Sequence, residues 1–89
     1  MKSNPITDHL EVTVRSRDKN YFTGRALSIS SQNAKGPFDI LPMHANFITL
    51  LTSNVTIKKE TGEEQIVKIE KGVLRVMSGK VDVFVESLA

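Results

Sequence analysis

The sequence predicts an all-β fold, and three observations carry that prediction. Apolar and polar residues alternate at period two in most windows, the mark of half-buried strands. These windows are short and are separated by polar or glycine-containing turns. No window holds a sustained apolar repeat of about 3.6 residues bounded by caps, so no helix is expected. About eight to ten such strands make a two-sheet β-sandwich, or flattened barrel.

Residues 1–8 carry Asn4, Pro5 and Asp8 and read as a flexible lead, with the sandwich domain expected over 9–87. Leu10, Val12 and Val14 then alternate with Glu11, Thr13 and Arg15, the pattern of a half-buried strand. Ser16 to Asn20 is a polar turn. Tyr21 to Ser31, rich in aromatic, serine and β-branched residues, reads as the next strand. Leu27 and Ile29 share one face there, and Phe22 is out of phase with them. A bulge or bend at Gly24 would reconcile the two phases.

Ser31 to Gly36 is a loop. Pro37 and Pro42 exclude a helix interior, because each lacks an N–H and fixes its own φ. Pro42 also biases Leu41 towards extended geometry, so Phe38 to Leu41 reads as a short edge strand between stiff turns. Phe47 to Thr52 is a continuous run of strand length, expected to be covered on both faces. Val55 and Ile57 point one way, Thr56 and Lys58 the other, before a hairpin-type reversal at Glu60 to Glu63. Gln65, Val67 and Ile69 alternate with Ile66, Lys68 and Glu70, and Lys71-Gly72 marks a break. Val73 to Met77 resumes as strand, Ser78-Gly79 turns, and Val81, Val83 and Val85 line the last strand.

Composition narrows the function. Twelve basic against ten acidic residues leave a net charge of +2, too diffuse for a nucleic-acid footprint. One tyrosine and no tryptophan offer little for base stacking, so no nucleic-acid partner is expected. Nothing approaches the roughly 18 consecutive apolar residues of a membrane span, and no apolar stretch follows Lys2 as in a signal peptide. The absence of cysteine excludes disulfides, thiolate catalysis and Cys-based zinc sites.

The histidines, His9 and His44, lack metal-ligand spacing. No Gly-x-Ser-x-Gly elbow precedes a serine, and Glu63-Glu64 reads as a solvated like-charge pair. Gly24 and Gly36 lack the strand–loop–helix context of a phosphate cradle. No catalytic residue, metal or cofactor is expected. Binding is the remaining task for a small rigid sandwich.

The run Gly36-Pro37-Phe38-Asp39-Ile40-Leu41-Pro42-Met43-His44-Ala45 resembles the signature loop of the epsilon subunit of F-type ATP synthases. That loop reads Gly-Glu-Phe-Gly-Ile-Leu-Pro-Gly-His-Ala-Pro and matches in register at Gly36, Phe38, Ile40, Leu41, Pro42, His44 and Ala45. Tyr21-Phe22-Thr23-Gly24 resembles the family's aromatic-Ser/Thr-Gly strand opening. Lys71-Gly72-Val73-Leu74-Arg75-Val76 and Lys80-Val81-Asp82-Val83 resemble its Gly-Gly-Phe-Leu-Glu-Val and Lys-Val-Thr-Val. The likeness covers residues 8–86.

The resemblance implies a β-sandwich domain and a non-catalytic rotor subunit of the central stalk in a proton-translocating ATP synthase. Its partners would be the gamma shaft and the polar loops of the c-ring, coupling rotation of the ring to gamma. The chain would sit peripherally at the cytoplasmic face of the inner (plasma) membrane, without direct insertion. Lys35, Gly36, Pro37 and Phe38 fall where family members turn towards the c-ring, and His44 and Thr49 where they approach gamma. The family's helical C-terminal arm, which carries inhibition and in some members ATP binding, has no counterpart before Ala89, so neither property is expected.

Five residues depart from the pattern. Pro37 stands where an acidic residue is common, Asp39 and Met43 replace glycines, Asn46 replaces a proline, and Lys71 the first of two glycines. A glycine replaced at positive φ would leave strain behind. The alternative reading is a free-standing β-sandwich adaptor or ligand-binding module.

Overall fold

The computed structural model describes residues 8–89, and these form eight β-strands with no helix among them. The strands are β1 (Leu10–Arg15), β2 (Asn20–Asn33), β3 (Gly36–Ile40), β4 (Phe47–Leu51), β5 (Val55–Lys59), β6 (Glu64–Val67), β7 (Ile69–Met77) and β8 (Lys80–Leu88). Of the expected lead, only Asp8 lies within the described residues.

Hydrogen bonding runs in the order β4-β7-β8-β1-β2-β5-β6, with β3 also paired to β2. All pairings are antiparallel except β1 with β8. The long β2 serves both layers. Its first half pairs with β1, and its second half with β3 on one side and β5 on the other.

Alternation along the strands decides what is buried. Leu10, Val12 and Val14 of β1 meet Val81, Val83 and Val85 of β8 and Leu74 and Val76 of β7 in one core. Ile29, Ile40, Val55, Ile57 and Val67, from the other end of the strand order, belong to the same core. The sheet must therefore double over on itself, which yields the two layers of a sandwich. Each fully buried Leu, Ile or Val side chain contributes about 1.5–3 kcal/mol through removal from water.

Four expectations are corrected. The bulge falls not at Gly24 but between Ala26 and Ser28, where β5 pairs Lys59 with Ala26 and Lys58 with Ser28, leaving Leu27 as the extra residue. Pairing to a second strand, which local sequence does not encode, sets that position. Gly24 instead lies opposite Val12, and the Phe22 ring covers it so closely that a Cβ would meet the ring at 3.4 Å.

The run from Phe47 is covered on one face only. β4 is an edge strand, and Ile48 and Leu50 are 66% and 69% exposed. The expected strand from Gln65 through Ile69 divides at Lys68 into β6 and β7. The expected break at Lys71-Gly72 is a pair of register shifts within β7. There the backbone of β8 comes so near Gly72 that a Cβ would meet the Phe84 carbonyl oxygen at 2.8 Å.

The turns agree with their residues. Ser78 and Gly79 both have positive φ, 49° and 80°, as a two-residue type I′ hairpin turn requires. Lys59 and Glu63 close the β5–β6 hairpin, with the Lys59 N–H donating to the Glu63 carbonyl at 2.8 Å.

Candidate docking site

The proline-flanked segment forms the edge strand β3 and then a tight turn. The His44 N–H donates to the Leu41 carbonyl at 3.1 Å, closing a four-residue turn around Pro42 and Met43. Met43 has φ +70°. Proline followed by a residue at positive φ is the mark of a type II turn, whose third position favours glycine. The substitution of Met43 for the expected glycine therefore does carry strain. Asp39 does not, because its backbone stays in the ordinary range.

Three rings lock this turn to the sandwich. The Phe38 ring meets Phe47 edge-on with centroids 5.8 Å apart, and His44 lies tilted against Phe47 at 5.5 Å. Such pairs add about 0.5–1.5 kcal/mol beyond the area they bury. Nδ1–H of His44 donates to the Ala45 carbonyl at 2.7 Å, which fixes the tautomer and leaves Nε2 as an acceptor. Asn46 anchors the far side of the loop, its side-chain oxygen accepting from the Ser78 N–H at 2.9 Å. The loop is braced at both ends.

Behind the loop, Thr49 of β4 accepts from the Asn33 side chain at 3.1 Å, and the Thr52 N–H donates to the Gln32 carbonyl at 3.0 Å. These bonds join edge strand β4 to the end of β2, beside the turn that carries Lys35. In that turn the Lys35 N–H donates to the Asn33 side chain at 2.9 Å, and Gly36 has φ +120°.

The outer face of β4, β7 and β8 is apolar. Leu50 lies opposite Val73, and Val73 opposite Phe84. Ile48 lies opposite Arg75, and Arg75 opposite Asp82, with 3.3 Å between guanidinium and carboxylate. The guanidinium of Arg15 sits 5.8 Å from the Phe84 ring centroid. An apolar row is thus edged by Arg15 and by an exposed ion pair. Groups of three or more His, Asp or Glu that could hold a metal ion do not occur among the described residues.

Residues 9–89 match the family described as the β-sandwich domain of the ATP synthase delta/epsilon chain. The chain belongs to this family. It is 31% identical over 72 residues to the ATP synthase epsilon chain of Corynebacterium jeikeium, covering 79% of this chain and 58% of that relative. Its fold is similar to a chain in the mitochondrial ATP synthase of Euglena gracilis, solved with OSCP, F1 and c-ring. There the TM-score is 0.85 at 18% identity, covering 99% of this chain and 57% of that one. A second likeness is to a chain in the central stalk and c-ring of the Tetrahymena thermophila mitochondrial enzyme, with TM-score 0.73 and 17% identity over 90% of this chain and 65% of that one. The chain thus spans about three-fifths of the length of these relatives.

Within this epsilon-type sandwich, the six residues singled out by resemblance fall into two adjoining groups. Lys35 and Pro37 are exposed at the start of β3, and Gly36 is half-buried between them. Phe38 turns inward and packs partly buried against the core. His44 and Thr49 are half-buried and face the protein through the bonds just given. Phe47, which no motif singled out, joins the two groups by touching both Phe38 and His44. Sequence reasoning also missed Ile48 and Leu50 as exposed residues. A continuous apolar run does not reveal whether its second cover comes from the same chain.

Proposed function

We propose that this chain is a non-catalytic central-stalk subunit that couples rotation of a c-ring to a gamma shaft. The observation that carries the reading is the apolar outer face of Ile48, Leu50, Val73 and Phe84, adjoining the braced loop of His44. Exposed β-branched and leucine side chains on an edge strand are a liability unless something covers them. A gamma subunit docked there would cover them, with His44 Nε2 as an acceptor at the rim. Lys35 and Pro37, on the turn between β2 and β3, would meet the polar loops of the c-ring, while Phe38 stiffens that turn from beneath.

The physical task is to transmit torque without slip. A close-packed sandwich deforms little, and a turn fixed by proline and ring contacts loses little freedom on docking. Attachment at two places would then carry rotation through a stiff body, placed at the membrane surface by the complex itself. Co-expression with the cognate gamma subunit, followed by size-exclusion chromatography, tests this reading. Co-elution is expected, with an interface of about 1,200–2,000 Å² in total. Separate elution at micromolar concentrations would overturn it.

A further inference from the structure

At the entry to β1, His9 is 94% buried, its relative exposure being 6%. A buried imidazole must satisfy both ring nitrogens. Its Nδ1 lies 2.9 Å from an Asp8 carboxylate oxygen and 3.3 Å from the terminal guanidinium nitrogen of Arg25. Its Nε2 lies 3.8 Å from a Glu11 carboxylate oxygen. Arg25 in turn contacts Glu60 at 3.1 Å, and Lys80 of β8 lies opposite Glu11.

These contacts cannot all be made at once. A carboxylate only accepts a hydrogen bond and a guanidinium only donates one. Nδ1 must carry a proton to serve Asp8 and must lack one to serve Arg25. One nitrogen therefore stands between two partners with opposite demands, one at the start of β1 and the other on β2. The charges around it bias the choice in the same sense. Asp8 and Glu11 favour the imidazolium, whereas Arg25 favours the neutral ring.

We propose that His9 is a proton-operated switch in which proton uptake moves its Nδ1 hydrogen bond from Arg25 to Asp8. In the neutral state Nε2 carries the proton and faces Glu11, and Arg25 donates to Nδ1, tying β2 to β1. On protonation Nδ1–H donates to Asp8 and Nε2–H faces Glu11. The cationic ring then repels Arg25, which keeps only its Glu60 contact. One proton thereby exchanges a cross-strand tie for a bond within the entry to β1. The Asp8 carboxyl is held below the ordinary carboxylate range, chiefly by its hydrogen bond to His9.

The test is side-chain NMR of the folded chain across the neutral to mildly acidic range, reading the two His9 ring nitrogens, the Arg25 guanidinium and the Glu60 carboxyl. At the alkaline end, Nδ1 is expected to be the unprotonated nitrogen, and the Arg25 and Glu60 resonances should move with the same midpoint as His9. In the Arg25→Gln variant the His9 transition should persist, while the Glu60 response is lost. Arg25 is more than half exposed, so this variant keeps the fold. An Nδ1 protonated at the alkaline end overturns the switch. So do Arg25 and Glu60 resonances that ignore the His9 transition, or a Glu60 response that survives in Arg25→Gln.

Discussion

Phe38 of β3 and Phe47 of β4 meet edge to face with their centroids 5.8 Å apart, although the two strands are not hydrogen-bonded to each other. Among the described residues, β3 pairs only with β2, and β4 only with β7. The ring contact, extended by His44 on the other side of Phe47, therefore joins two edge strands that the backbone ladder leaves apart.

Phe47→Ala should loosen this junction. Complete burial would make the loss about 3–5 kcal/mol. Phe47 is only partly buried, so about 1.5–3 kcal/mol is expected, read as a lowered midpoint in urea unfolding. His44 should then gain solvent access, visible as faster exchange of its ring proton. An unchanged midpoint would mean that the aromatic junction contributes nothing to stability.

Met43 offers the opposite test. Its side chain is 66% exposed and its φ is +70°, so it holds an unfavourable backbone with little packing in return. Met43→Gly removes a left-handed cost of about 1–2 kcal/mol and adds unfolded-state entropy that offsets part of it. A net gain of about 0.5–1 kcal/mol is expected, read as a rise in Tm. Met43→Ala should gain almost nothing, because alanine keeps the Cβ that causes the strain.

Gly72 is held by proximity rather than by φ. A Cβ at this position would meet the Phe84 carbonyl oxygen at 2.8 Å and the Ile69 side chain at 3.2 Å. The oxygen belongs to the β7–β8 ladder and cannot move aside without breaking it. Gly72→Ala should cost about 1–3 kcal/mol, the range for forcing extra atoms into a close-packed interior. At Gly36 no described residue would come within 4 Å of an added Cβ, so alanine there meets only the penalty of its positive φ. Equal losses at the two positions would refute the steric account of Gly72.

The strands that were legible in the sequence are those whose burial is decided by their own alternation. Leu10, Val12 and Val14, like Val81, Val83 and Val85, needed only period two to be placed. What stayed hidden was decided by distant partners. The bulge at Leu27 depends on how β5 pairs with β2, and the exposure of Ile48 and Leu50 on the edge position of β4. The same holds for the site. The loop from Gly36 to Ala45 was readable through its prolines and its family likeness. The link through Phe47 and the meeting of His9 with Arg25, sixteen residues apart, arise only from the fold.

Acid should weaken the protein through Asp8. The hydrogen bond it accepts from His9 holds its carboxyl below the ordinary carboxylate range. A carboxyl with a depressed folded-state pKa contributes stability above its unfolded pKa and loses it as pH falls through the folded value. Asp8→Asn removes that dependence. Unfolding free energies measured from neutral pH down to strong acid should fall less steeply at the acid end for the variant. Identical slopes would show that Asp8 is bonded equally in the folded and unfolded chains.

The outer face of β4 separates folding from docking. Ile48 and Leu50 point away from the core and are about two-thirds exposed, so replacing both with lysine removes little packing. The double variant should unfold within about 0.5 kcal/mol of the parent, as surface substitutions do. Docking is another matter. Two charges placed in an apolar interface lose the contacts of both side chains and add a desolvation cost. Affinity for the gamma subunit should fall by at least about 100-fold, equivalent to about 2.8 kcal/mol. Lys35→Ala, at the turn proposed to face the c-ring, should leave that affinity within about 3-fold. Isothermal titration with purified gamma distinguishes the two, and full affinity in the double-lysine variant would place the shaft on another face of the sandwich.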